Sequence, residues 1–175
     1  RGKDNTTKHT LDNVLEVPEV VINMVDYDLV HACSLASTDY PQGVNEFEKA
    51  GLTEVPSVTI APPRVLESPV SMECKVLKVE SFGANPGAGN LVFCEIKRMH
   101  FRNNVLGSDG LPDAVLLDLV ARCGGSYYAR ASKEALFEIP KPIANLGIGV
   151  DAIPKDICTS SILTGKHLAM LGNVE

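Results

Sequence analysis

NEFEKAGLTEVPSVTIAPPRVLESPVSMECKV, residues 45–76, holds a short helix, a proline-braced crossing and a long strand, in that order. Val44, Phe47, Ala50 and Leu52 recur at roughly helical spacing, with Glu46, Glu48 and Lys49 between them. That spacing predicts an amphipathic helix of about two turns, ended at Gly51. Pro56 forbids its continuation. Val58 and Ile60 alternate about Thr59 as a short strand does. Pro62 and Pro63 remove two backbone donors, so that corner cannot lie inside a sheet ladder. From Val70 the alternation is regular. Val70, Met72, Cys74 and Val76 fall on one face, and Ser71, Glu73 and Lys75 on the other. An antiparallel strand with one buried face is expected. The pattern breaks at Val76 and Leu77, and Val79 continues on the opposite parity, which predicts a bulge.

Working outward, residues 19–25, EVVINMV, are apolar on both faces and predict a central strand. Leu29, Ala32, Cys33 and Ala36 then form one helix face, with His31 off it and exposed. Residues 82–90, FGANPGAGN, have the look of a dinucleotide loop. The segment after them, LVFCEIKRMHF, has strand character, so no helix N-terminus is offered to a pyrophosphate. These turn residues predict a hairpin instead. Within the second strand Val92, Cys94 and Ile96 share one parity, Met99 and Phe101 take the other, and Arg98, His100 and Arg102 share a face. Pro112 opens a short helix over 114–120. Cys123, Gly124, Gly125 and Ser126 make a glycine turn that feeds one last strand. Residues 139–143, IPKPI, are an extended exit. Thr164 caps a terminal helix carrying Leu168 and Leu171. The expected fold is mainly β: an antiparallel barrel with peripheral helices and strand cores at 20–24, 70–76 and 92–96.

The 175 residues suit one domain with one core. A net charge of −6 argues against a nucleic-acid surface, which needs a basic excess. No apolar run approaches the roughly 20 residues that span a bilayer, so no membrane segment is expected. The five cysteines, at 33, 74, 94, 123 and 158, are odd in number and form no CxxC pair. Reduced, buried thiols in a cytoplasmic protein are expected. The histidines at 9, 31, 100 and 167 form no HxH or HxxxH pair, so no metal site is expected. No nucleophile elbow and no Walker motif occur. If the chain is an enzyme, a cofactor must carry the chemistry.

Residues 1–10, RGKDNTTKHT, are polar and basic and precede a short helix, LDNVLE. Thr10 suits its N-cap, and helix N-termini favour phosphate. The segment reads either as an anion site or as a solvated terminus.

EFEKAGLTEVPS, then PPRVLESPVSMEC, then RCGGSYYAR resemble, in that order, the flavin reductase-like proteins of the FMN-binding split-barrel superfamily. KHTLDNVLEVPEVVINMV is similar to that family's segment after the flavin-phosphate turn. GIGVDAIPKDICTSSILTGKHLAMLGNV is similar to the tail of one branch. The resemblance implies a split barrel with FMN as cofactor, NAD(P)H as co-substrate and a homodimeric assembly. The electron acceptor would be a monooxygenase or another partner. Residues 1–143 would be a partial flavin-binding domain whose front strands are absent, since the chain starts at Arg1 and not at Met. Residues 144–175 would be an arm packed on the barrel or on a partner subunit. Lys8, His9 and Thr10 fall on the phosphate-turn pattern, with His9 where an acidic residue is commoner. Arg1 falls where the preceding strand ends, and His100 where a strand-end histidine occurs in many members. Arg98, His100 and Arg102 suit a bound flavin or phosphate, or a plain polar rim. The 123–128 segment would lie near the flavin. No catalytic side chain is implied. Two further readings stay open: an FMN-binding electron carrier without a nicotinamide site, and a non-catalytic dimeric split-barrel module.

Overall fold

The longest elements are the two strands predicted by the period-two runs. In the computed structural model, which describes residues 5–139 and 146–174, α1 (His9–Glu16) leads into β1 (Glu19–Asn23), then α2 (Val30–Ala36) and α3 (Glu46–Ala50). The short pair β2 (Glu54–Val55) and β3 (Arg64–Val65) precedes β4 (Val70–Ser81) and β5 (Asn90–Phe101). Then come α4 (Ala114–Leu117) and a hairpin of β6 (Val120–Gly124) and β7 (Tyr127–Arg130). Two compact units divide the chain, Arg1–Leu136 and Phe137–Glu175.

In the first unit, β1, β4 and β5 form an antiparallel sheet in that order. The centre is therefore β4 and not β1, which pairs with β4 alone and leaves Ile22 41% exposed. Apolar residues on both faces of β1 thus did not mark a central strand. Two bulges shape the long hairpin. Leu77 is the extra residue between the pairs Val76–Cys94 and Lys78–Phe93, where the break in alternation predicts it. Lys97 is extra on β5, between Arg98 and Ile96, and accounts for the change of parity along that strand. Among the described residues the sheet does not close into a barrel. Leu91, Phe93, Ile96 and Met99 of β5 stay 43–49% exposed.

Around residues 45–76 the helix forms as expected. The Asn45 side chain accepts the Phe47 N–H at 2.9 Å, and Gly51 ends α3 at φ 67, a conformation cheap only for glycine. The strand expected at 58–60 does not form. The chain bends there, and the flanking prolines deny it a ladder partner. Side-chain acceptors hold the bend instead. The Glu67 carboxylate takes the Thr53 N–H at 3.1 Å, Glu19 takes that of Ala61 at 2.8 Å, and Asn23 Oδ1 takes that of Val65 at 3.2 Å. The expectation of one buried face on β4 also fails, because Ser71 and Glu73 are buried along with Val70 and Cys74. Val14, Leu29, Val30, Ile60 and Val105 complete this unit's apolar core. All five cysteines are free, but Cys33 and Cys123 are exposed, against the expectation of buried thiols.

The second unit holds α5 (Lys155–Cys158) and α6 (Gly165–Leu171), with Ile153 buried ahead of α5. Thr164 precedes α6, as its position predicts, and its N–H donates to His167 Nδ1 at 3.1 Å. A histidine here takes the part that Glu or Gln plays in a capping box. Gly149 N–H donates to the Gly172 carbonyl at 2.9 Å, and a Cβ at Gly172 would stand 3.0 Å from the Gly149 carbonyl carbon. Among the described residues no helix is long and apolar enough to cross a membrane.

Candidate functional site

The start of α1 is open. Lys8, not Thr10, occupies the N-cap, with extended backbone, and its side chain does not cap the helix. Thr10 lies within the first turn. Lys8, His9 and Thr10 are all exposed. The Lys8 ammonium pairs with the exposed carboxylate of Asp39, in the loop after α2. Thr7 Oγ1 donates to Asp12, the acid of the first turn, at 2.9 Å. Arg1 lies outside the described residues. Three of the expected anion ligands therefore stand together at one helix end.

His100 belongs to a different cluster and shares no partner with them. Its centre is Glu73, fully buried on β4. Glu73 Oε1 accepts the Val58 N–H at 2.8 Å and lies 2.6 Å from His100 Nε2. Oε2 accepts the Thr59 N–H at 2.7 Å and the Thr59 hydroxyl at 2.5 Å. Arg64 Nε stands 3.8 Å from Oε1. In the β4–β5 register Ser71 faces His100 and Glu73 faces Arg98, so His100 reaches Glu73 along the diagonal. Burial pushes the Glu73 carboxyl up. Hydrogen bonds from the Thr59 hydroxyl, the two backbone N–H groups and His100 outweigh it and hold the group at about 2.

A pH dependence follows. Unfolded, this carboxyl titrates near 4.5; folded, near 2. Its contribution is fully present above pH 4.5 and is lost as pH falls through 2. That amounts to roughly 3 kcal/mol between those limits. Urea unfolding at pH 6, 4 and 3 should show the parent losing stability on acidification more steeply than Glu73→Gln. Equal acid slopes would show that Glu73 is not ionised in the fold.

Sequence reading placed Glu73 with Lys75 on a solvent face. One signal could have found it. Prolines at 56, 62 and 63 deny the 57–61 amides a ladder, and buried donors require an acceptor. Arg102, which shares the His100 face, donates to buried Asp26 at 2.8 Å, so two of the three polar groups on that face bind carboxylates. The Nε atoms of Arg64 and Arg102 are buried without a hydrogen-bond partner.

A third feature is a cleft. Val120 N–H donates to the Val25 carbonyl at 3.2 Å, and Tyr27 N–H to that of Asp118 at 3.0 Å. These bonds set the β6–β7 hairpin beside α2. Between them lies a cavity of about 630 Å³, lined by Tyr27, His31 and Ser34 on one side and Arg122, Tyr128 and Arg130 on the other. Arg130 forks onto Asp118 at 2.7 and 2.6 Å and lies 3.7 Å over the Tyr27 ring. The pairing holds the half-buried Asp118 carboxyl below its ordinary range. Arg122 donates to the Gly125 carbonyl at 3.2 Å. Among the described residues no group of His, Cys, Asp and Glu is able to hold a metal ion.

The flavin reductase like domain matches residues 5–124. Nitrilotriacetate monooxygenase component B from Bacillus cereus superposes with a TM-score of 0.71 at 27% identity, over 79% of this chain and 68% of that one. The 2-nitrobenzoate 2-nitroreductase of Pseudomonas fluorescens gives 0.66 at 29% identity, over 80% and 72%. A Shewanella frigidimarina protein described as a flavin reductase with a split barrel domain gives 0.66 at 26%, over 75% and 65%. The matched span takes in α1, the whole three-stranded sheet, the Glu73 cluster and β6.

Proposed function

Because the chain belongs to the flavin reductase-like family, we propose that it binds FMN and takes hydride from NAD(P)H. The observation that carries the FMN reading is the start of α1, where Lys8 holds the N-cap and its side chain does not cap the helix. Such an end offers backbone N–H groups and the positive end of a helix dipole to an anion. Lys8 would supply charge to the flavin phosphate, the Thr10 hydroxyl a hydrogen bond, and His9 a flank. Arg1 would be a second cation. Asp39 would be the counter-ion that the phosphate displaces from Lys8. His100 would join the site through its remaining ring nitrogen, since Nε2 is held by Glu73.

FMN bound there would supply the hydride acceptor, which no side chain of this chain provides. The protein's own part is to hold and orient. We further propose a homodimer, and as electron acceptor a monooxygenase component or another partner. The similarity to a protein named as a monooxygenase component supports the former. A cytoplasmic setting suits this reading.

The test is anaerobic stopped-flow mixing of the FMN-loaded protein with NADH and with NADPH. Loss of the flavin absorbance band with at least one of them is expected. If neither bleaches the band, the reductase reading fails, and an electron carrier without a nicotinamide site takes its place.

A further inference from the structure

We propose that the cleft between α2 and the β6–β7 hairpin binds the adenosine-phosphate end of the nicotinamide dinucleotide. This rests on the reading that the protein takes hydride from NAD(P)H, and it adds a location that the Lys8 turn does not provide.

Charge selects the class of ligand. The chain carries 22 acidic and 16 basic residues. Yet the described wall of the cleft holds Arg122, Arg130 and His31, and no Asp or Glu. With Arg130 paired to Asp118, Arg122 is the charge that the cleft offers to an anion. The two arginines divide the work. Arg130 is bound on both edges by Asp118 and stacked on Tyr27, so its charge is met and its plane is locked. Arg122 gives one bond to Gly125 and retains donors of its guanidinium fork for an anion. The Ser34 and Ser126 hydroxyls also line the space.

Shape and polarity then choose among anions. Tyr27 and Tyr128 are half-exposed and line the same cleft as the arginines. Aromatic faces beside a cation suit a flat base joined to a phosphate. The volume, about 630 Å³, falls within the usual range for small-molecule sites. A bare inorganic anion would leave most of it empty.

The experiment is calorimetric titration of the intact chain, with and without FMN, using adenosine 5′-phosphate and adenosine 2′,5′-bisphosphate as probes. Both should bind the parent. Arg122→Gln should weaken each by about tenfold, the loss of one charge-assisted contact. It should also raise KM for the dinucleotide by about tenfold with kcat unchanged. Since Arg122 bonds within its own hairpin, Ser34→Trp serves as a second variant. It fills the cleft from α2, leaves the hairpin intact, and should abolish probe binding. FMN affinity should stay within about twofold in both variants.

Failure of either adenosine phosphate to bind the parent at millimolar concentration would overturn the proposal. So would unchanged affinity in both variants. A parallel loss of FMN affinity would assign the cleft to the flavin and overturn it equally. Probe binding that depends on Arg122, in a chain that never takes up FMN, would keep the cleft as a nucleotide site and sink the flavin reading instead.

Discussion

Replacing Glu73 with alanine should lower the unfolding free energy by about 3–5 kcal/mol, the range found when one partner of a buried charged cluster is removed. The carboxylate accepts from two backbone amides and one hydroxyl and meets His100. Alanine would leave the Val58 and Thr59 amides and the Thr59 hydroxyl without their acceptor. A donor orphaned in this way costs about 1–3 kcal/mol where no water replaces the partner, and less at Val58 and Thr59, which are exposed. Glutamine should cost less, about 2 kcal/mol, because its carbonyl still accepts while its NH2 meets donors. Exposed Glu48 supplies the control, and Glu48→Ala should stay within about 0.5 kcal/mol. Guanidinium unfolding of the three variants against the parent decides it. A Glu73→Ala loss below about 1 kcal/mol would mean that the 57–61 bend is held by packing and not by the carboxylate.

Removing Lys8 and Thr10 together should weaken FMN binding by about two orders of magnitude. Charge-assisted contacts are worth roughly 1.5–3 kcal/mol each, and less where solvent screens them, as at this exposed turn. Riboflavin, which lacks the phosphate, should bind the Lys8→Ala/Thr10→Ala variant almost as it binds the parent. Asp39→Asn should act in the opposite direction, tightening FMN binding several-fold, because it removes the carboxylate that competes for Lys8. Fluorescence titration with both flavins measures all of these. Equal losses for FMN and riboflavin would make the turn a support of the fold. No loss for either would return it to a solvated helix end.

Much of the chain was legible because the responsible forces act over a few residues. The Gly51 stop, the Thr164 helix start, the turn at 82–90 and the Leu77 bulge each depend on side-chain size, φ preference or parity within one turn or one pleat. The match over residues 5–124 takes in the family stretches from Lys8 to Val25 and from Glu46 to Cys74. The start of α1 was read two residues late. Thr10 has the better capping side chain, yet Lys8 holds the position, and caps shift by such amounts.

Parity assigns a residue to a face but does not say what covers that face. By sequence Glu73 and Ser71 look solvated. The proline-bounded bend at 57–61 brings backbone and hydroxyl donors to Glu73, and Ser71 donates to Asn23. The same logic moved β1 from the centre of the sheet to beside β4, because an apolar strand can rest on neighbours other than strands. It also turned Arg102 toward Asp26 and Lys8 toward Asp39, pairs 76 and 31 residues apart in the chain. The sequence by itself determined the long strands, the helix at 46–50, their order and the family. Tertiary structure alone decided which charges are buried, which are paired and which remain to meet a ligand, because desolvation and ion pairing depend on neighbours that the chain brings together only once it has folded.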